Sequence, residues 1–271
     1  MVYAFIMLLE NWPKSVRVIL FRILGLTWIL NLLAHMQKDH PSTHELLNRI
    51  FNRNQFDVRV FNEERLPKEG GCVIAINHPH GFFDGLGAVW LGSKHGNDCR
   101  IIGRHFISVF KPIRRLFLFI KIDAERRSDQ GAQITEQSSE FVRNGGRLGI
   151  SSAGRLSLSN PVWKPAEDLP WKTGTVRIAT AAEAPIVLVY VDVRHSTWRQ
   201  IGQRIHPVVR ALAQVWSYRF FRTQKLHMHI LDVVHPDQLP QGDVREQTQW
   251  LQAHFDKLSA DISTGRQRRT T

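Results

Sequence analysis

Cysteine is scarce in this 271-residue sequence, with only Cys72 and Cys99. Two thiols cannot build a disulfide scaffold or a four-cysteine zinc ribbon, and they fit a reducing compartment. Acidic residues are also few. Against 36 Lys and Arg stand 24 Asp and Glu, a formal net charge of +12 and a pI near 10.3. No long apolar run is present, and a mean hydropathy of −0.23 excludes a protein with several membrane spans. Internal repeats and low-complexity blocks are absent. The glycines at 81, 85 and 87 lack both the spacing of a dinucleotide fingerprint and its acidic residue about 20 positions on. What is there is a 43% hydrophobic, 10% aromatic chain. That is enough for a real core and too apolar for disorder. The length fits one large domain or two small ones. The cationic excess requires an anionic partner: nucleic acid, an anionic membrane surface or a phosphorylated substrate.

The most apolar part comes first and is interrupted. Residues 1–9 are stopped by Glu10 and Pro13, and residues 16–36 carry Arg17, Arg22, Asn31 and His35. Between Ile23 and Ala34 the polar residues are Thr27 and Asn31, a window of 12 residues. A spanning helix needs roughly 20. No basic segment precedes the first apolar run and no small-residue cleavage site follows it, so a signal peptide is not expected. Val18, Phe21, Leu24, Trp28 and Leu32 recur at helical spacing, flanked by Trp12, Lys14, Arg17 and Arg22. This is the composition of a helix lying in a membrane interface. It is also that of an amphipathic helix packed on its own domain. The expected division is a membrane-docking helical segment at 1–42, the main domain at 43–263 and a frayed basic tail at 264–271.

Beyond Pro41, strands and helices alternate. Helices are expected at 43–52, 86–91, 130–144, 175–182 and 245–262, with a basic helical segment at 203–224. Strands are expected at 56–61, 72–76, 100–103, 119–122, 147–150, 186–193 and 226–234. The run Cys72-Val-Ile-Ala-Ile76 is continuously apolar, as in a strand covered on both faces. Gly145 and Gly146 end the helix before them. The order predicts an α/β fold with a mainly parallel mixed sheet flanked by helices.

The informative loop follows that buried strand: Asn77-His-Pro-His-Gly-Phe-Phe-Asp-Gly85. Open α/β sheets place their sites at strand carboxyl ends. A histidine a few residues before an aspartate can form a base and its orienting acid. The carboxylate fixes the tautomer, and the other ring nitrogen can take a proton from a hydroxyl. The loop has no Ser or Cys to act as a covalent nucleophile, so the hydroxyl would belong to the substrate, as in direct acyl transfer to an alcohol. The plainer alternative is that His78 is a polar turn residue and Asp84 caps a helix. A backbone N–H near residues 81–85 is a candidate oxyanion donor.

This stretch resembles the first block of the glycerolipid acyltransferases related to bacterial 1-acyl-glycerol-3-phosphate acyltransferase. Their signature is His, four residues, Asp, often preceded by Asn. Here five residues separate His78 from Asp84 and three separate His80 from Asp84. The longer spacing, N-H-P-x-G-x-x-D-G, resembles a bacterial branch that includes hemolysin-annotated and ornithine-lipid acyltransferases. His78-Pro-His-Gly81 also resembles a motif of one diacylglycerol acyltransferase family. A second block resembles Arg100-Ile-Ile-Gly-Arg104, Pro112 and Ile120-Lys-Ile-Asp123. A third resembles Ile150-Ser-Ser-Ala-Gly-Arg-Leu-Ser157, where the family's usual glutamate is missing. A fourth resembles residues 174–188. The resemblance implies His78 as base, with His80 as rival, and Asp84 as orienting acid. It also implies substrate contacts from Asn77, Gly81, Gly85, Arg104, Gly154, Arg155 and Ser157, the third block helping to hold the acceptor's phosphate or polar head. Independently of the family, Gly154 suits a tight turn and Arg155 can grip a phosphate with two parallel hydrogen bonds. Lys111, Arg114 and Arg115, set among phenylalanines, suit anionic lipid or coenzyme A phosphates, or else a solvated helix face.

The expected protein is an acyltransferase moving an acyl group from acyl-CoA or acyl carrier protein, as co-substrate, to a lipid hydroxyl. It would need no metal and no resident cofactor, since His227 and His229 have no third ligand nearby in sequence. Its expected partners are a lipid bilayer, the acyl donor and a lipid acceptor, and its expected place is the cytoplasmic face of the inner membrane. Nucleic acid is not an expected partner, because the basic residues are scattered and no recognised module is visible. The rival readings are a lipid esterase using the same His/Asp pair on water, and a non-catalytic basic membrane- or nucleic-acid-binding protein.

Overall fold

A computed structural model describes residues 13–23, 41–104, 111–120, 127–161, 166–193, 201 and 224–263. In chain order these form α1 (Lys14–Ile23), α2 (Thr43–Arg53), β1 (Phe56–Phe61), β2 (Cys72–Ile76), α3 (Phe83–Gly92), β3 (Cys99–Arg104), β4 (Phe117–Ile120), α4 (Arg127–Arg143), β5 (Arg147–Ser151), α5 (Gly174–Ala182), β6 (Ile186–Val193), β7 (Gln224–Val234) and α6 (Val244–Ser263). The seven strands make one sheet in the order β1-β7-β6-β2-β5-β3-β4. Every neighbouring pair is parallel except β6 and β7. The mostly parallel mixed sheet is the one expected.

Strand alternation divides the core in two. Ile74 and Ile76 of β2 join Leu46, Leu47, Ile50 and Phe51 of α2 and Leu86 and Val89 of α3 on one face. Val73 and Ala75 point the other way, to Val176 and Ala179 of α5 and Leu251 and Phe255 of α6. A strand sandwiched this way has no solvent face, which is why β2 reads as five apolar residues in a row. Arg147 at the start of β5 is a charged group sealed inside: it is fully buried and donates to the carbonyls of Pro67, Lys68 and Gly92. Cys72 and Cys99 flank it in register on β2 and β3 as buried free thiols. Burial pushes Cys72 up to about 11, although Arg147 pulls the other way.

Several boundaries differ from expectation, α4 starting three residues early at Arg127 and β7 two early at Gln224. β4 begins two residues early, because Phe117 is buried and pairs with Ile101 of β3. α3 begins three residues early and takes Asp84 into its first turn. On α1, Val16, Ile19 and Ile23 form an exposed stripe, with Ile23 74% exposed. Residues 1–12 and 24–40 of the expected docking segment lie outside the described residues. So do 203–223 of the expected basic helix and the tail at 264–271. Among the described residues no helix is long and apolar enough to cross a membrane.

Candidate active site

Where β2 ends, the chain is pinned before it turns. The Asn77 amide donates to the Val191 carbonyl at 3.1 Å and accepts from the Val191 N–H at 2.7 Å, tying the loop's first residue to β6. Four residues on, Gly81 has φ +105°, and a Cβ there would sit 2.8 Å from Leu156 Cδ2. Only glycine passes this point without strain. Gly85 meets the core instead, where a Cβ would lie 3.1 Å from Ile101 Cδ1.

Asp84 is completely buried and has its hydrogen-bond capacity used. Oδ2 lies 3.1 Å from His78 Nδ1 and accepts from the N–H groups of His80 at 2.9 Å and Gly81 at 3.0 Å. Oδ1 accepts from the Gly85 N–H at 2.7 Å. Burial by itself raises the Asp84 pKa. The charge and hydrogen bond of His78, the charge of His80 and the Gly81 N–H outweigh it and hold the carboxyl well below the usual range. An ionised Asp84 makes His78 Nδ1 the protonated nitrogen, leaving Nε2 as the basic one.

The two loop histidines are thereby separated. The His78 side chain is 19% exposed and meets the carboxylate through its ring. His80 is buried, reaches Asp84 through its backbone, and accepts from the Phe83 N–H at Nδ1 (3.4 Å) while its ring packs edge-on against Phe83. The N–H groups of His80, Gly81 and Gly85 are committed to Asp84, and that of Phe83 to His80. These four therefore do not supply the oxyanion donor anticipated in this loop.

A second turn follows β5, beside β2 in the sheet. Gly154 has φ +62° and donates to the Ser151 carbonyl at 2.8 Å, and Arg155 extends into solvent. Ser157 turns back and is buried. Its N–H donates to the His78 carbonyl at 2.9 Å, and its Oγ accepts from the His78 N–H at 3.2 Å. The same His78 N–H reaches Asp168 Oδ1 at 3.2 Å, and the Ser157 hydroxyl also donates to Asp168. Trp171 Nε1 donates to the other Asp168 oxygen at 3.2 Å. Burial raises the Asp168 pKa in spite of these donors and the charge of His78.

Asp168 is the residue that sequence reasoning missed. It lies 90 positions after His78, in a proline-interrupted stretch without periodicity. A buried aspartate there is spelled like a surface one, and only the following Pro170-Trp171 hints at an ordered turn. Arg104 ends β3, but its side chain, like that of Lys111 and like residues 105–110, lies outside what is described. Arg114 and Arg115 are exposed, Arg115 donating to the Pro41 carbonyl. On β7, His227 pairs with Asp57 at 2.9 Å. His229 stacks on Phe61, and burial lowers it to about 4. Among the described residues no group of three or more metal-ligating side chains converges.

A family model described as Acyltransferase matches residues 57–192, just over half of the chain. No curated protein matches the sequence. Among solved structures, the crystal structure of the 1-acyl-sn-glycerophosphate (LPA) acyltransferase PlsC from Thermotoga maritima is similar. Its TM-score is 0.46 at 15% identity, over 84% of this chain and 80% of that one.

Proposed function

The chain belongs to the acyltransferase family, and on that premise we propose that it transfers a fatty acyl group directly from an acyl-CoA or acyl carrier protein thioester to a hydroxyl of a lysophospholipid or related lipid acceptor, with His78 as general base. The observation that carries this reading is the 3.1 Å contact between His78 Nδ1 and a fully buried Asp84. Nε2 takes the proton of the acceptor hydroxyl as its oxygen attacks the thioester carbonyl. The tetrahedral intermediate then collapses, the C–S bond breaks, and the imidazolium returns its proton to the departing thiolate. Asp84 orients the ring and stabilises its charged form. The acceptor must bring its own hydroxyl, because that of Ser157 is spent on Asp168.

The exposed Arg155 guanidinium and the adjoining Gly154 turn suit the acceptor's phosphate or polar head. The spacing of the first block supports placement in the N-H-P-x-G-x-x-D-G branch. The apolar stripe on α1 and the net charge of +12 support work at an anionic bilayer surface, on the cytoplasmic face of the inner membrane. The test is turnover of a labelled acyl thioester by the purified protein with a panel of lysolipids, the products separated as new ester and free fatty acid. New ester that disappears in His78→Ala but persists in His80→Ala is expected. Turnover that survives both changes sinks the assignment, and free fatty acid alone makes the protein an esterase.

A further inference from the structure

We propose that Asp168 is a positioning residue for this chemistry, which, through Ser157 and the backbone of His78, sets the His78 ring against Asp84. The inference rests on His78 being the base. Asp84 alone does not fix where that ring sits. A side chain held at one nitrogen follows its own backbone, and the backbone of His78 leaves the sheet one residue after Asn77 and enters a Pro-His-Gly turn. Both polar groups of the His78 backbone are nevertheless engaged. The carbonyl accepts from the Ser157 N–H, and the N–H is shared between Ser157 Oγ and Asp168 Oδ1. Asp168 also orients the Ser157 hydroxyl, so that its lone pairs face the His78 N–H.

The brace has its own foundation. Trp171 donates to the second Asp168 oxygen, and its backbone N–H donates to Gln252 Oε1 of α6 at 2.9 Å. Its ring packs on Phe255 of the same helix at 5.0 Å. Gln252 in turn donates to the Leu169 carbonyl. Residues 168–171 are thus moored to the helix layer on one side of the sheet, while α3, which carries Asp84, packs on the other. His78 is gripped from both layers, its backbone from one and its ring from the other.

A purely architectural aspartate would be a poor choice here. Burial pushes Asp168 up, so its ionised form costs stability near neutral pH, and a neutral isostere is expected to fold. In Asp168→Asn the Oδ1 acceptor can persist, but the second oxygen becomes an amide facing the Trp171 N–H, and the charge is lost. Folded Asp168→Asn is expected to lose about 30-fold in kcat, with KM for thioester and acceptor each within about threefold of wild type. Ser157→Ala is expected to lose about tenfold with the same split. The low-field proton resonance of the His78 Nδ1–H, assigned by its absence in His78→Ala, should shift and exchange faster in both variants.

Wild-type kcat with an unmoved resonance overturns the proposal. So does a loss carried by KM, which would make Asp168 a ligand contact, or a loss explained wholly by unfolding in both variants, which would make it architectural. The control arm keeps the two readings apart. If His78→Ala is itself active, the base assignment fails. If His78→Ala is inactive while Asp168→Asn behaves as wild type, only the brace fails.

Discussion

The loops after β2 and β5 leave the same end of the sheet from neighbouring strands, paired through Ile76 and Ser151, yet their polar groups are used in opposite ways. In the first loop nearly every donor is spent within the protein: three backbone N–H groups and a histidine nitrogen converge on Asp84. The second loop also holds Ser152 and Ser157 buried and hydrogen-bonded, but between them it leaves Arg155 in solvent. Under the proposed function, the contrast fits two physical demands. A base must hold its geometry before substrate arrives, because misplacement of an ångström is costly in rate. A group that receives a headgroup can afford a long, flexible arm.

The largest effect should fall on the first loop. His78→Ala is expected to lower kcat about 10⁴-fold, the upper end for a general base, measured as initial rates of ester formation. Equal losses from Arg155→Ala would erase the distinction between the loops. Asp84→Asn follows, with a fall of roughly 10³-fold in kcat and little change in KM. The same variant should alter acid stability with a definite sign. The folded Asp84 carboxyl lies below its ordinary value of 3.8, so it contributes stability above that pH and loses it as the pH falls further. Urea titrations between neutral pH and pH 3 should show a drop in wild type that is reduced in Asp84→Asn.

A smaller effect separates strain from chemistry. Gly81→Ala meets both a left-handed φ and Leu156, and should cost about 1–3 kcal/mol of folding stability. Chemical denaturation gives the figure, and an unchanged midpoint would mean that the two loops are not pressed together as described. Smallest is Arg155→Ala, expected to raise KM for an anionic acceptor about tenfold, or about 1.4 kcal/mol, with kcat kept. A rise that vanishes with an uncharged acceptor would sharpen the assignment to headgroup charge.

Much of the fold was legible because periodicity and burial coincide. β2 and β6 are apolar runs, the helix α5 keeps its residues 176, 178, 179 and 182 inside, and Gly145 ends α4 where expected. Phe117 shows the limit. The apolar run is continuous there, so the start of β4 is set by pairing with β3, which local sequence does not encode. In the site, His78 and Asp84 could be read as a pair, whereas the choice between His78 and His80 could not. Nothing in the letters says which ring turns inward, and the structure separates them by burial and by the choice of ring or backbone toward Asp84. Asn77 and Ser157 were expected to touch substrate, and the contacts described for them are internal. Both are polar residues in a motif, and spelling does not distinguish holding a ligand from holding a loop.

The place of β7 in the sheet has a consequence in time. β1 ends at residue 61, and its described sheet neighbour begins at residue 224, pairing Phe56 with Gln224. On the ribosome, β2, β3, β4, β5 and β6 can all emerge and pair before β1 has that strand to lie against. Closing so long a stretch is entropically costly and slows the step that completes it. β1, made before the other six strands, thus waits for the last of them before it can join the sheet.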